Sequence, residues 1–446
     1  MSRKYFGTDG VRARVGTFPM TVDFALKLGN ATGQVLVGND KSQTIVLGQD
    51  TRNSCDMLKA AFVAGVTAAG MDVINLGIVP TPVVAFMVRA LKASAGVVLS
   101  ASHNPHQDNG IKLFSDEGEK LPDHIEWEIE SYIEKAFCYQ PEAKFGQIIS
   151  RIDEIQPYIE HCLKHFSSKI HFTGKKVILD CANGATFRLA ARVFERLGVP
   201  CQAIASVPNG ENINQDCGAV HLATLIKAVK SERADLGIAF DGDGDRLMLV
   251  DEKGRVVNGD EMLYILSQYP EISGHSDGVV GTVMSNLAIE QAFAEKGVQF
   301  ERAKVGDRYV MSLLKKNQWS LGGEASGHII NLNYNSSGDG LITALQILSI
   351  LSRTQRPLSA LAVIKKMPQV MINVLLSRKI DAADMSLLIE DVSFAEKQLS
   401  ESGRVVLRPS GTEAVLRVMV EADTSEKAQK WAEFLVEKVK EKLVSV

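Results

Sequence analysis

Five short stretches carry residue types that could do chemistry. The densest is LGIAFDGDGDRLMLVDEKG, which sets Asp241, Asp243 and Asp245 between two apolar, β-like runs. Alternate residues of an extended chain face the same way, and interleaved glycines let the backbone curl around an ion. Three carboxylates this close repel one another unless something positive offsets them, so a divalent cation is the natural resolution. All-oxygen ligation favours a hard ion such as Mg2+, which is often held by few carboxylates plus phosphate oxygens. An EF-hand loop also opens D-x-D-x-D and would reach Glu252. Its sixth position needs Gly, however, and here is Arg246, with flanks that read as strands. A solvated Asp/Gly turn is the plain alternative.

The phosphate partner that such a cluster invites has a candidate in GVVLSASHNPHQDNGIK, Gly96 to Lys112. An apolar strand ends here in Ser100, Ala101, Ser102, His103, Asn104 and Pro105. Taken alone this is a polar turn, because Asn-Pro starts turns and Ser hydroxyls bond to nearby backbone. Beside a metal cluster, a nucleophilic or phosphorylated serine becomes credible, although residue types do not choose between Ser100 and Ser102. GGEASGHI puts Glu324, Ser326 and His328 at alternate positions among glycines. Carboxylate, hydroxyl and imidazole on one side of a backbone suit sugar hydroxyls; the plain reading is a loop with a capping Ser and a solvated Glu. It is not a hydrolase elbow, since Glu324 stands where that motif needs Gly. LRPSGTEAVLR offers Arg408, Ser410, Gly411, Thr412 and Arg417 as a clamp for an anion, against the alternative of a hairpin turn with surface arginines. YFGTDGVRARVG adds Arg12 and Arg14 in a turn and means little by itself.

These loops need elements to hold them. One pattern recurs three times: a β-rich run, a polar loop, a helical segment, a Gly, and another β-rich run. The copies start at TIVLGQDTRNS, KVILDCANGA and GVVGTVMSN, and their glycines are Gly70, Gly198 and Gly297. Gly tolerates the positive φ of a helix C-cap. Strand–helix–strand units of this length favour right-handed crossovers, so the expectation is three related α/β domains with mixed sheets. Ligands in such sheets gather at the carboxyl ends of strands, where these loops lie. The C-terminal part alternates like an antiparallel sheet and ends in a helix starting near DTSE. Ala428, Trp431, Leu435, Val439 and Leu443 fall on one face of that helix. The expected domains are 1–154, 155–255, 256–367 and a smaller α+β domain over 368–446, arranged around a central cleft.

Composition narrows the function. The 446 residues are 45% hydrophobic with a net charge of −4, so large cores form and no basic tract marks a nucleic-acid binder. The six cysteines are scattered with no C-x-x-C pair, which argues against zinc and for a reduced, cytoplasmic protein. MSRKYFGTDG has no apolar signal core, and LITALQILSILS is too short to span a bilayer, so no membrane is expected.

Taken in order, G-T-D-G-x-R, S-A-S-H-N-P, D-G-D-G-D-R, G-E-x-S-G-H and R-x-S-G-T-E resemble the α-D-phosphohexomutase family along the whole chain. One departure is Ala13, where relatives usually carry Gly. The resemblance implies that Ser102 carries the transferred phosphate, with Mg2+ held by that phosphate and Asp241, Asp243 and Asp245. It implies Lys112 in proton transfer, with His328 another candidate, and His103 beside the serine. Arg246 and Arg12 would steady charge on the moving group. Glu324 and Ser326 match ligands of sugar hydroxyls, while Arg408, Ser410, Gly411, Thr412 and Arg417 match a distal phosphate loop. The implied activity moves a phosphoryl group between two positions of a hexose through a 1,6-bisphosphate, with glucosamine or glucose 1,6-bisphosphate as activator. RKYFGTDGVR, GDRYV and GGEASGHI look most like the members acting on glucosamine phosphates. Members acting on glucose or mannose phosphates are the rival, and a Mg2+-dependent sugar phosphatase is a more distant one. A homodimer is a family-level expectation. As a base, Lys112 would need a pKa well below the free value.

Overall fold

The structure, a computed structural model, describes residues 4–37, 42–140, 144–172, 174–274, 277–410 and 414–444. Its four sheets follow one another along the chain.

The three expected repeats each form the unit read from the sequence. In the first, Thr44–Gln49, the helix Ser54–Ala68 and Asp72–Ile78 make a parallel crossover, with Gly70 at φ 92. In the second, Val177–Asp180, the helix Leu189–Arg196 and Cys201–Ile204 do the same, with Gly198 at φ 68. In the third, Gly278–Thr282, the helix Leu287–Glu295 and Gln299–Ala303 repeat it, with Gly297 at φ 69. The likeness extends to the turn after each first strand. Asp50 Oδ1 accepts the Arg52 N–H at 2.9 Å, Asp180 Oδ1 the Ala182 N–H at 2.9 Å, and Thr282 Oγ1 the Met284 N–H at 3.1 Å. A short side chain bonding to backbone two residues on closes the loop and aims it across the strand ends.

The first three sheets are mixed because an antiparallel partner follows each crossover. Ala95–Leu99 lies parallel to Thr44–Gln49 and antiparallel to Asp108–Ser115, which pairs with Val11–Arg14. Leu236–Phe240 lies parallel to Val177–Asp180 and antiparallel to Leu247–Asp251. Leu321–Gly323 lies parallel to Gly278–Thr282 and antiparallel to Ile329–Asn331. These reversals place the serine, aspartate and glutamate loops at equivalent corners of three sheets.

One apolar cluster ties these units together. It runs from the helix Thr81–Ala90 through Gln156–Phe166 and Leu189–Arg196 to Gly340–Thr354. Gly340–Thr354 contains LITALQILSILS and is buried from Gly340 through Ser352. No described helix is long and apolar enough to cross a membrane.

The last unit has its own core. Gln369–Leu375, Val415–Ala422 and Gly403–Pro409 form an antiparallel sheet in the order first–second–third, covered by Ile389–Leu399 and Ser425–Val439. Thr424 caps the final helix by accepting the Lys427 N–H at 3.2 Å. Ala428, Leu435 and Val439 are buried in that core, and Trp431 and Leu443 pack against it.

Candidate active site

The strand Ala95–Leu99 delivers its polar end into the interior. Ser102 is fully buried with φ +52, a left-handed conformation uncommon outside Gly. Its Oγ donates to Asp241 Oδ2 at 2.6 Å and lies 3.3 Å from His103 Nδ1. The two serines have different work. Ser100 Oγ accepts the Ser102 N–H at 2.9 Å, so Ser100 shapes the loop while Ser102 faces the carboxylates.

The three aspartates do converge, but not by the extended-chain alternation read from the sequence. They sit in a tight turn between Leu236–Phe240 and Leu247–Asp251, where the Gly244 N–H returns to Asp241 O at 3.1 Å. Gly244 has φ +73, and a Cβ on Gly242 would lie 2.5 Å from Ser102 O, so both glycines are required for the turn and its close approach. One carboxylate oxygen from each aspartate falls within 4.8 Å of the others. Asp243 Oδ2 accepts from Thr81 Oγ1 at 2.6 Å and Lys112 Nζ at 2.7 Å; Asp245 Oδ2 lies 3.3 Å from the same ammonium. Asp243 Oδ1 and Asp245 Oδ1 are buried and find no hydrogen-bond donor among the described residues. Orphaned buried acceptors beside a hydroxyl are what a hard divalent cation completes, so the donor set fits Mg2+.

The charges here shift one another's proton affinity. Burial, with Asp245 and Asp243 alongside, pushes the Asp241 carboxyl well above its usual range. Burial would raise Asp245 too, but Lys112, His328 and Arg246 hold it well below. Lys112 corrects the sequence expectation of a depressed pKa. Burial alone would lower it, yet Asp243, Asp9 and Asp245 raise it well above the ordinary lysine value. His328 behaves likewise: burial opposes its proton, and Asp245, Asp307 and Glu324 raise its pKa to about 9. Its Nδ1 lies 3.7 Å from Asp245 and its Nε2 3.6 Å from Asp307. His103 goes the other way, to about 4, through burial and the nearby Arg246 and Arg12. Arg246 donates its backbone N–H to Asp241 Oδ1 at 3.1 Å, and its guanidinium lies 3.9 Å from Asp245. Arg12 pairs with Asp9 at 2.9 Å and reaches Asn104 Oδ1 at 3.5 Å. Ala13 does not disturb this, since its strand pairs normally with Asp108–Ser115.

A cleft of about 1090 Å³ meets this cluster at Asp245, and its walls come from all four units, among them Asp9, Arg246, Glu324, His328, Arg408 and Arg417. Glu324, Ser326 and His328 again meet through a turn rather than an extended strand. The Glu324 N–H donates to His328 O at 3.0 Å and the Gly327 N–H to Glu324 O at 2.9 Å. Glu324 Oε1 accepts the Gly306 N–H at 2.9 Å, and its Oε2 lies 3.3 Å from Ser326 Oγ. From the fourth unit, Arg408 and Arg417 line the same cleft and stand directly across from each other on antiparallel strands. Like charges so placed destabilise a sheet unless an anion joins them. Burial and Arg417 lower the Arg408 pKa accordingly. The Ser410 N–H closes the hairpin on Val415 O at 2.8 Å. Gly411 and Thr412 lie outside the described residues.

Several neighbours were not singled out from the sequence. Asp9 binds Lys112 at 3.2 Å and Lys120 at 2.7 Å; Lys120 also meets Asp307 at 2.6 Å, joining the first unit to the third across the cleft. Arg308 adds ion pairs to Asp123 and Glu126. Asp307 and Arg308 belong to GDRYV, a stretch noted only for its likeness to relatives. Arg52 and Thr81 had no local signal, because their partners lie 50 and 162 positions away.

Comparisons with known proteins agree with this architecture. Profiles of phosphoglucomutase/phosphomannomutase match in order: alpha/beta/alpha domain I over residues 3–139, domain II over 156–254, domain III over 258–367 and the C-terminal domain over 371–438. A phosphoglucosamine mutase of Francisella philomiragia is 49% identical over 442 residues, covering 99% of this chain and 100% of the relative. One of Francisella tularensis subsp. tularensis is 48% identical with the same coverage. Among solved structures, a phosphoglucomutase/phosphomannomutase family protein of Burkholderia thailandensis superposes with a TM-score of 0.81 at 24% identity, covering 99% and 98% of the two chains. An Aspergillus fumigatus N-acetylphosphoglucosamine mutase, solved with GlcNAc-6P and magnesium, gives 0.71 at 16% identity over 99% and 96%. Matched along its length by all four profiles and nearly half identical to full-length relatives, the chain belongs to the phosphoglucomutase/phosphomannomutase family.

Proposed function

We propose that the protein is an isomerase that interconverts glucosamine 6-phosphate and glucosamine 1-phosphate, with Ser102 as the phosphate carrier. The observation that carries the reading is the Ser102 hydroxyl, held 2.6 Å from Asp241 in a buried triad of aspartates, whose third member, Asp245, lines a cleft also lined by the Arg408 and Arg417 pair. The amino-sugar preference is supported by the full-length relatives named phosphoglucosamine mutase.

In the first half-reaction the bond from phosphorus to Ser102 Oγ breaks, and a bond forms to the free hydroxyl of the sugar phosphate. The sugar hydroxyl gives up its proton, and Ser102 Oγ regains one. The resulting 1,6-bisphosphate turns end over end, and its other phosphate returns to Ser102. Such transfer depends on in-line positioning and charge neutralisation. Bound by Asp241, Asp243, Asp245 and the phosphoserine, Mg2+ would draw charge from the transferring oxygens and offset the carboxylates that hold the Lys112 proton. Lys112 or His328, whose protons the surrounding carboxylates hold, gives one to Ser102 Oγ as the phosphate leaves, and the proton released by the sugar hydroxyl restores it. Arg246 and Arg12 supply fixed positive charge beside the serine loop. Glu324 and Ser326 orient ring hydroxyls. Arg408, Ser410 and Arg417, with Gly411 and Thr412, grip the phosphate that is not reacting. A 1,6-bisphosphate activator, a cytoplasmic location and a homodimer complete the reading on family resemblance.

The test is the product spectrum from glucosamine 1-phosphate, Mg2+ and a trace of glucose 1,6-bisphosphate. Glucosamine 6-phosphate without free phosphate is expected. Phosphate released in step with substrate loss would identify a phosphatase instead, and faster turnover of glucose or mannose 1-phosphate would move the sugar assignment.

A further inference from the structure

The Ser102 loop is gripped from behind by two donors that the proposed reaction does not use. Arg52 is 2% exposed, and its Nη2 donates to Ser102 O at 3.2 Å and to Asn104 O at 2.6 Å. Asn214 is 5% exposed, and its Nδ2 donates to the same two carbonyls at 2.9 and 3.1 Å. Arg52 follows the first strand of the first repeat and is neutralised there by Asp50. Asn214 belongs to the second unit, the one that carries the aspartates, and its backbone N–H is fixed on Ala182 O at 2.9 Å. A Cβ on Gly242, in the aspartate turn, would lie 2.9 Å from Asn214 Nδ2 and 2.5 Å from Ser102 O. Serine loop, aspartate turn and Asn214 therefore meet at one point.

We infer that Asn214, together with Arg52, is a positioning residue for phosphoryl transfer: it locks the left-handed Ser102 loop in register with the aspartate turn across two units. Ser102 keeps φ +52 because its carbonyl is held by two donors on one side and its N–H by Ser100 Oγ on the other. That conformation sends Oγ to Asp241. Because the lock joins the units by hydrogen bonds of this chain alone, the register exists before any cation or sugar binds. Release of the lock lets the serine swing relative to the aspartates. Displacements of about 1 Å at a reacting atom cost on the order of 100-fold in rate.

The inference rests on Ser102 being the phosphate carrier, and the experiment separates the two. Asn214→Gly keeps a backbone that accepts the native φ of +58 and removes the side chain. Asn214→Asp keeps the shape and turns an acceptor toward the two carbonyls. Both variants are assayed with Ser102→Ala for kcat and KM with glucosamine 1-phosphate at saturating Mg2+, for single-turnover transfer from phosphorylated enzyme, and for Tm. Expected is a fall of about 10- to 100-fold in kcat and in the single-turnover rate of both variants, with KM within about twofold. A fall in kcat below about tenfold, or a loss expressed in KM alone, overturns the inference whatever happens to Tm. Should Asn214→Gly fail to fold, Asn214→Asp carries the same criteria. An active Ser102→Ala enzyme would instead overturn the phosphoserine reading itself.

Discussion

Where Asp245 meets the cleft, Asp241, Asp243 and Asp245 crowd negative charge into a buried turn, answered by Lys112 and Arg246. On the fourth unit's wall, Arg408 and Arg417 crowd positive charge across two strands, with both side chains half-buried. The first arrangement draws its partners from three units and is fixed by Thr81, Lys112, His328 and the glycine turn. The second sits on a hairpin with a separate hydrophobic core. Buried like charges tolerate one another only around a resident counter-ion, whereas partly exposed ones can wait for a visiting ion. The proposed function accordingly gives the aspartate turn a resident cation and the arginine pair a visiting anion.

The sharpest break of this contrast is Ser102→Ala, which removes the hydroxyl proposed to carry the phosphate. Turnover should fall by at least ~10³-fold, read in a coupled assay for glucosamine 6-phosphate. Normal turnover in a folded variant would remove the floor from the reaction. Asp243→Ala comes next. It should cost roughly 100-fold or more in activity and abolish the Mg2+ dependence, because Lys112 and Thr81 lose their acceptor together with the ion. A Mg2+ titration that matches wild type would count against the cation site. At the other end, Arg417→Ala should raise the apparent KM by about tenfold with a smaller effect on kcat, since a guanidinium–phosphate contact present in both ground and transition states is lost. An unchanged KM would contradict the anion wall.

The smallest effect concerns His328 in protein stripped of divalent ions. Its pKa rises from 6.5 to about 9 on folding, so the proton contributes stability fully below pH 6.5 and loses that contribution as pH climbs through about 9. The Tm advantage of wild type over His328→Gln should therefore shrink between those values. A constant difference across this window would show that His328 is not held protonated by Asp245 and Asp307.

Much of this could be read before any fold was known. The three repeats were legible because strand, helix and Gly C-cap each leave local signals, and the turn chemistry at Asp50, Asp180 and Thr282 repeats with them. The aspartate cluster was legible because the ligands are two residues apart. The reason given for its convergence was incomplete, since a hairpin turn and not an extended chain gathers it. The same holds for Glu324, Ser326 and His328. Lys112 shows a different limit. A base role calls for a lowered pKa, and burial does act in that direction, but three carboxylates from two loops outweigh it.

Sequence alone therefore determined the element types, the repeats, the order of the reactive loops and the chemistry their residue types can do, because these rest on contacts within a few residues. Tertiary structure decided which loops share a cleft, that Ser100 supports while Ser102 faces the aspartates, and which charges hold the proton of Lys112. It also decided that Arg52 and Asn214, 162 positions apart, grip the same carbonyls. Hydrogen-bond geometry and low-dielectric charge coupling act over ångströms in space, and they leave no spacing rule along the chain.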